Sequence, residues 1–388
     1  MNVLPASPRL LRWVAFPVVL AALLAGGIAF ATRSSGAAPS LPPRSAAQLL
    51  ADVSQASVPG LSGTVVQTAR LGLPSLPSLG GRGGSASLSG LAAGSHTIRV
   101  WLAGVDRARV AVTGTLAESD VIRNGQDLWV YQSDGNSVTH LRLPTDDRSA
   151  AERHAPLGEA GTTGALTPQE AARRAVAALT PTTVVTVERN ARVASRDVYQ
   201  LRLSPKESSS LIDSVVLSVD GQTKVPLRVQ VFARSQSAPA FEVGFTDVQF
   251  RAPSAGVFDF SPPPGAKVTE RILTKPSRAG KVPKPAEPAS RPAVLGSGWT
   301  SVLVLRDITP SAATGGKDGG SLAALLQAAT PVQGAFGHGR LLRTVLLSGL
   351  LTDDGRLYVG AVTPAALEAA ATEALSAARP LTGQGATP

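Results

Sequence analysis

Apolar and polar residues alternate with a period of two through most of residues 61–250, which is the signature of strands with one buried face. Before that stretch, Ala46, Ala47, Leu49, Leu50 and Val53 recur at helical spacing behind Ser45, and Pro59-Gly60 follows. This predicts a helix over 45–57 with Ser45 as its cap. LSGTVVQTA, SHTIRVWLAG and DRARVAVTG then read as strands. A three-strand meander follows in ESDVIRNGQDLWVYQSDGNSVTHLRL, with Asn124-Gly125 and Asp134-Gly135-Asn136 as turns. Thr167-Pro168-Gln169-Glu170 opens a second predicted helix, over 167–179. Strands resume in TTVVTVERN, RDVYQLRLS, DSVVLSVDG, VPLRVQVFA and FEVGFTDVQF, and FDFSPPPGAKV closes the series.

The alternation places Ile98, Val100 and Leu102 on one face, with Leu128 and Val130, Leu201 and Leu203, Val215, Leu217 and Val219, Leu227, Val229 and Val231, and Phe241, Val243 and Phe245. The residues between them, such as Arg99, Arg202, Arg228, Gln230 and Glu242, are polar. A sheet of about 10–11 strands thus carries one apolar face, with only two amphipathic helices to cover it. Such a sheet either curves around something apolar or closes into a sandwich with an ordinary core, and the pattern allows both. Trp101, Trp129 and Tyr131 fall out of phase: they either cover the opposite side or sit at a bulge that turns them inward.

A smaller α+β unit is predicted beyond residue 294. GWTSVLVLRDI reads as a strand and SLAALLQAAT as a helix. GRLLRTVLLSGLL and GRLYVGAV read as a hairpin around Thr352-Asp353-Asp354-Gly355. TPAALEAAATEAL reads as a last helix with Thr363 as cap and Pro364 at its first position.

Charge narrows the function classes. The net charge is +10, but residues 1–45 carry four arginines and no acid, and residues 271–293 carry six basic residues and one acid. The remainder is almost neutral, which argues against a nucleic-acid-binding domain, since that would carry its own basic face. Residues 271–293 are a basic, Pro/Ala-rich linker, suited either to an anionic membrane surface or to plain spacing. Trp13 to Ala31 holds no charge, and Arg9 and Arg12 precede it. This predicts export, with the rest of the chain outside the cytoplasm. Ala29-Phe30-Ala31 fits a cleaved signal peptide, whereas the length of the run favours an uncleaved anchor. The expected location is the cell envelope, as a single-pass membrane protein or, after cleavage, a secreted one. Residues 32–44 read as a linker and 71–94 as a Gly/Ser/Leu-rich loop.

Candidate chemistry is sparse. The chain has no cysteine, so disulfides, thiolate nucleophiles and Cys-ligated metals are excluded. Its four histidines, His96, His140, His154 and His338, are too widely spaced for a metal motif. His96 and His140 read as half-exposed strand residues, and Glu118 and Asp120 as strand-edge or turn residues. Asp146-Asp147 and Asp353-Asp354 read as solvated turn carboxylates. The glycine-rich GAFGHG at 334–339 reads as a tight turn. No grouping supplies nucleophile, base and orienter, so no enzyme, cofactor or metal is expected.

Several segments resemble the LolA/LolB-like lipoprotein-carrier superfamily. VDRARVAVTGTLAESDVIRNGQDLWVYQSDGNSVTHL is similar to the strand run of its MucB/RseB branch, whose members regulate envelope-stress sigma factors. VASRDVYQLRLSPKESSSLIDSVVLSVDGQTKVPLRVQVF resembles a second block of that branch, with Val193, Arg196, Leu203, Pro205, Asp220, Pro226, Leu227 and Arg228 in step. GLSGTVVQTARLGLP, the order of elements, and 30 arginines against seven lysines resemble the LolA-like proteins of high-GC Gram-positive bacteria. The resemblance covers about 45–270, and 294–375 is placed like the second domain of the RseB type. It implies an α+β, mainly β fold: a curved antiparallel half-barrel lidded by helices, plus a small C-terminal domain. It also implies that the apolar face holds lipid or lipoprotein acyl chains. By periodicity the lining is Ile98, Val100, Leu102, Val130, Leu203, Leu217, Val229, Phe241, Val243 and Phe245. The alternative it implies is an envelope-stress regulator that binds a membrane partner such as an anti-sigma factor.

Overall fold

The computed structural model describes residues 41–72, 94–114, 117–142, 181–272, 292–308 and 328–378. The predicted N-terminal apolar segment, the helix at 167–179, Asp146-Asp147, His154, the linker, and most of the 71–94 loop and of the SLAALLQAAT helix lie outside the described residues. Among the described residues no helix is long and apolar enough to cross a membrane.

The first helix, α1, spans Ala46–Gln55. Its start is a capping box: the Ser45 hydroxyl accepts from the Gln48 N–H at 3.2 Å, and the Gln48 side chain accepts from the Ser45 N–H at 2.9 Å. Two orphan amides of the first turn are thereby satisfied.

Among the described residues thirteen strands make one large sheet. They are β1 (Gly60–Ala69), β2 (Gly94–Ala103), β3 (Arg107–Thr113), β4 (Glu118–Asn124), β5 (Asp127–Gln132), β6 (Ser137–Arg142), β7 (Thr183–Val187), β8 (Ala191–Val193), β9 (Arg196–Pro205), β10 (Ile212–Asp220), β11 (Pro226–Ala233), β12 (Pro239–Gln249) and β13 (Lys267–Ile272). Their order is β13-β6-β5-β4-β3-β2-β1-β12-β11-β10-β9-β7, with β8 paired to β9. The two ends, β13 and β7, do not meet, so the sheet is open. Neighbours are antiparallel except β13, which runs parallel to β6. The periodicity showed neither β8 nor β13; the first has three residues, too short for a period to register.

β1 and β12 are the seam where the N-terminal meander meets the later strands. A Cβ at Gly63 would come within 2.3 Å of the Asp247 carbonyl oxygen, so only glycine lets the two backbones approach this closely beside the irregularity at Thr64/Val65.

A strap accounts for the parallel β13. Between β12 and β13 the chain crosses the polar side of β3 to β6. There Arg109 donates to the Val257 carbonyl at 3.3 Å, and Asn124 bonds Asp259 at 3.3 Å. Phe260 packs on Trp129 and Tyr131, and Asn136 donates to the Pro264 carbonyl at 3.2 Å. Trp129 and Tyr131 therefore cover the side opposite the aliphatic face. Trp101 lies on that side too, under the guanidiniums of Arg99 and Arg109.

The second, smaller sheet has the order β14-β15-β19-β18-β17-β16. Its strands are β14 (Ala293–Leu295), β15 (Val302–Leu305), β16 (Thr330–Gly334), β17 (Gly337–Arg343), β18 (Ser348–Thr352) and β19 (Leu357–Gly360). The closing helix α2 (Pro364–Ala378) packs Leu367 and Ala371 against Leu341, Leu350 and Tyr358. GRLLRTVLLSGLL is not one strand. It forms β17 and β18, separated by a turn at Thr344–Leu347. The Thr344 N–H and hydroxyl both donate to the Leu347 carbonyl at 2.9 Å, and the Leu347 N–H donates back to the hydroxyl at 2.9 Å. The turn holds no Gly, Asn, Asp or Pro, so its sequence resembles continued strand.

Candidate functional site

The aliphatic face of the large sheet is continuous in register. One row runs Val112, Ile98, Val65, Phe245 across β3, β2, β1 and β12. The next runs from Val243 through Val229 and Leu217 to Leu201. A third runs from Phe241 through Val231 and Val215 to Leu203. Successive side chains of a strand point to opposite faces, so these rows share one surface.

No charged side chain lies on this face within β10, β11, β12, β1 and β2. Its polar members there are Gln67 and His96, register partners that are 0% and 6% exposed. His96 is thus buried on the apolar face rather than half-exposed.

The charges are paired on the other face and in the turns. Arg109 holds Asp120 at 2.5 Å, and Arg202 bonds Glu188. Asp120 is therefore a buried residue in mid-strand, not an edge residue. Arg196 grips Asp220 through two nitrogens at 2.5 and 3.0 Å. Burial opposes ionisation of Asp220. Bonds from Arg196, from the Thr223 N–H and hydroxyl, and from the Gln222 N–H outweigh it and hold the carboxyl below its ordinary range. The same pair raises the Arg196 guanidinium. His140 is buried as well; its ring bonds Asp127 at 2.8 Å and lowers that carboxyl's pKa. His338 and Asp353-Asp354 sit in a hairpin of the small domain. Among the described residues no three His, Asp or Glu side chains gather as a metal site would need.

Among the described residues two elements cover part of the apolar face. α1 lays Ala46, Leu49 and Leu50 over Leu201, Leu203, Leu217 and Val185. Leu41 joins them, and Tyr199 donates to the Pro42 carbonyl at 2.8 Å, so the chain just ahead of α1 is tied down too. The second cover comes from the small domain, whose Thr344–Leu347 turn places Leu346 and Val345 against the centre of the face.

Of the residues singled out by periodicity, Ile98, Val229, Phe241 and Val243 are buried together in this centre. Val100, Leu217 and Phe245 are partly buried at its margin, and Leu203 lies under α1. Val130 is half-buried in the row Val110, Val121, Val130. Leu102, 38% exposed at the far end of β2, is not in the cluster. Val65 and Val112 belong to the centre as well; Val112 follows the alternation of β3, whereas Val65 stands beside Val66 in β1 with no alternation to single it out. Val345 and Leu346 also belong to it, and no local signal announced them.

No protein-family model matches the chain, and no characterised protein matches it in sequence. Its structural neighbours are MucB, LolA-superfamily proteins and LppX. The complex of Pseudomonas aeruginosa MucA/MucB is 15% identical and covers 84% of this chain and 96% of that chain, with a TM-score of 0.41. A LolA superfamily protein from Nitrosomonas europaea is 16% identical over 56% of this chain and 99% of its own, with a TM-score of 0.21. The Mycobacterium tuberculosis lipoprotein LppX is 13% identical over 51% of this chain and 92% of its own, with a TM-score of 0.26.

Proposed function

We propose that this is a cell-envelope protein that holds the acyl chains of a lipid or lipoprotein on the apolar face of its large sheet. The observation that carries the reading is the chemistry of that face. Aliphatic and phenyl groups run in register from β3 to β9 with no charge among them on the central strands. An acyl chain needs shape and an apolar lining. It gains about 0.8 kcal/mol for each buried CH₂ and asks for no directed polar group. A face of this composition on an open sheet supplies that. The N-terminal apolar segment, by its charge pattern, would place the domains outside the cytoplasm, anchored or secreted.

The test is mass spectrometry of lipid co-purifying with the full chain after expression in an exporting host. Wild type is compared with Val229→Glu and Phe245→Glu, so that lipid clinging to the N-terminal segment cancels. Stoichiometric lipid on the wild type that both variants lose supports the reading. Equal lipid on all three overturns it.

One observation favours a second reading, a regulator that binds a membrane protein such as an anti-sigma factor. The small sheet leaves Val294 and Leu303 exposed on the side away from α2, where a partner strand or helix could pack. Val294→Asp with Leu303→Asp would then abolish a stable complex in the membrane while leaving lipid content unchanged.

A further inference from the structure

The turn joining β17 and β18 is built against the usual rule. Hairpin tips favour Gly, Asn and Asp, which take up positive φ at little cost or bond their own backbone, and such tips usually face water. This one reads Thr344-Val345-Leu346-Leu347. Its geometry comes from the Thr344 hydroxyl instead, which closes the loop onto Leu347. That leaves the tip free to be apolar. The tip does not face water. Leu346 is 9% exposed and lies in one cluster with Val65, Ala69, Ile98, Phe241 and Val243, all from the large sheet. The Val345 N–H donates to the Leu71 carbonyl at 2.9 Å, just past the end of β1, and the Val345 side chain packs on the same cluster.

The other interdomain contacts among the described residues are different in kind. The Leu211 N–H donates to the Ala361 carbonyl at 2.9 Å, and the Thr363 N–H to the Ser209 carbonyl at 2.8 Å. Ser210 and Val362 form an isolated β-bridge between them. The Trp299 indole donates to the Thr183 hydroxyl at 2.8 Å. These are polar bonds that water can replace at little cost. Leu346 is held by burial, which water cannot replace.

We infer that the 344–347 turn is a built-in occupant of the acyl site, so that an incoming acyl chain and the small domain's turn compete for the same apolar ground. Binding of a chain then releases the turn from the large sheet, and docking of the turn expels the chain. Ligand occupancy is converted into a change in how the small domain is held, with the bridge at Ser210 and Val362 and the Trp299 bond to Thr183 among the ties that remain. The inference rests on the acyl-binding reading. It adds that the free protein stores part of its ligand's interaction in an internal contact, which lowers apparent affinity by the fraction of molecules with the turn docked.

The chain's lack of cysteine makes the test direct. The double variant Leu71→Cys/Val345→Cys places two thiols at positions whose backbones are already joined by a hydrogen bond, close enough for a disulfide to be attempted. The full chain in host membranes is treated with a diazirine-bearing palmitate, irradiated, and the label located by peptide mass spectrometry on β9 to β12. Wild type, the oxidised double variant, the same variant reduced, and Leu346→Ser are compared.

The expected result is that the disulfide forms and that oxidation cuts labelling of these strands about tenfold. Reduction should restore it, and Leu346→Ser should bind about tenfold more tightly than wild type. Equal labelling of oxidised and reduced forms overturns the competition while leaving acyl binding intact. Failure of the disulfide to form under oxidant shows that the turn does not dock at Leu71 and overturns it as well. Absence of label on these strands in every form, Leu346→Ser included, overturns acyl binding itself, and the competition with it.

Discussion

The indole of Trp129 lies flat on the imidazole of His140, with ring centroids 3.7 Å apart and planes within 3° of parallel. The pair sits on adjacent strands, in register, on the side of the sheet that the strap crosses. Phe260 of the strap leans on Trp129 at 5.5 Å and on Tyr131 at 6.0 Å. The out-of-phase aromatics therefore form a second, permanent core on that side. The aliphatic face is spared from packing against its own strap and remains available to α1, to the small-domain turn and to a ligand.

Removing this second core should cost stability without touching the ligand face. Phe260→Ala is expected to lower stability by about 2 kcal/mol, since the site is only partly enclosed. Thermal unfolding should show a lower midpoint, while palmitate labelling of β9 to β12 stays at the wild-type level. A loss of labelling in a folded variant would mean that the two sides are not independent.

Asp220 predicts a pH dependence. Its native pKa lies below the ordinary 3.8, so the stabilisation it provides is complete above that value and is lost as pH falls through the lowered native one. Asp220→Asn breaks a buried pair and leaves Arg196 without its partner, which should cost about 3 kcal/mol at pH 7. Unfolding midpoints at pH 7 and at pH 2 check this: the gap between wild type and variant should be wide at pH 7 and narrower at pH 2.

Leu49, on the inner side of α1, is fully buried against Tyr199 and Leu201. Leu49→Ala should leave a cavity there and cost about 3 kcal/mol. Hydrogen exchange should quicken in α1 and β9 before the small domain responds. Uniform quickening would show that α1 is not a locally anchored cover.

Trp299→Phe keeps an aromatic side chain but removes the indole N–H that bonds Thr183, together with part of the ring system. The expected loss is about 1 kcal/mol. Limited proteolysis within residues 271–293 should accelerate a few-fold as the small domain loosens. If the rate is unchanged, the indole bond contributes nothing to docking.

The period of two along residues 61–250 determined that there is a large sheet, which side chains share its apolar face, and that Trp129 is out of phase with them, while a bulge turning it inward stayed open. Those are local properties, because the pleat sends neighbouring side chains to opposite faces wherever the strand ends up. Ser45 ahead of a helical spacing, and Thr363 before Pro364, marked both described helices, since caps satisfy amides within a few residues. Pairing across distance was not legible. Whether β1 meets β12, whether β13 runs parallel beside β6, and whether the sheet closes on itself or stays open depend on contacts between segments up to 187 residues apart. Burial of His96 and Asp120 was equally hidden, because a polar residue carries no mark of whether a neighbour will satisfy it. The tertiary structure alone decided the role of Val345 and Leu346. In sequence they continue a strand. In space, the Thr344 hydroxyl turns the chain at that point, and the large sheet supplies the apolar surroundings that let a turn tip be made of valine and leucine.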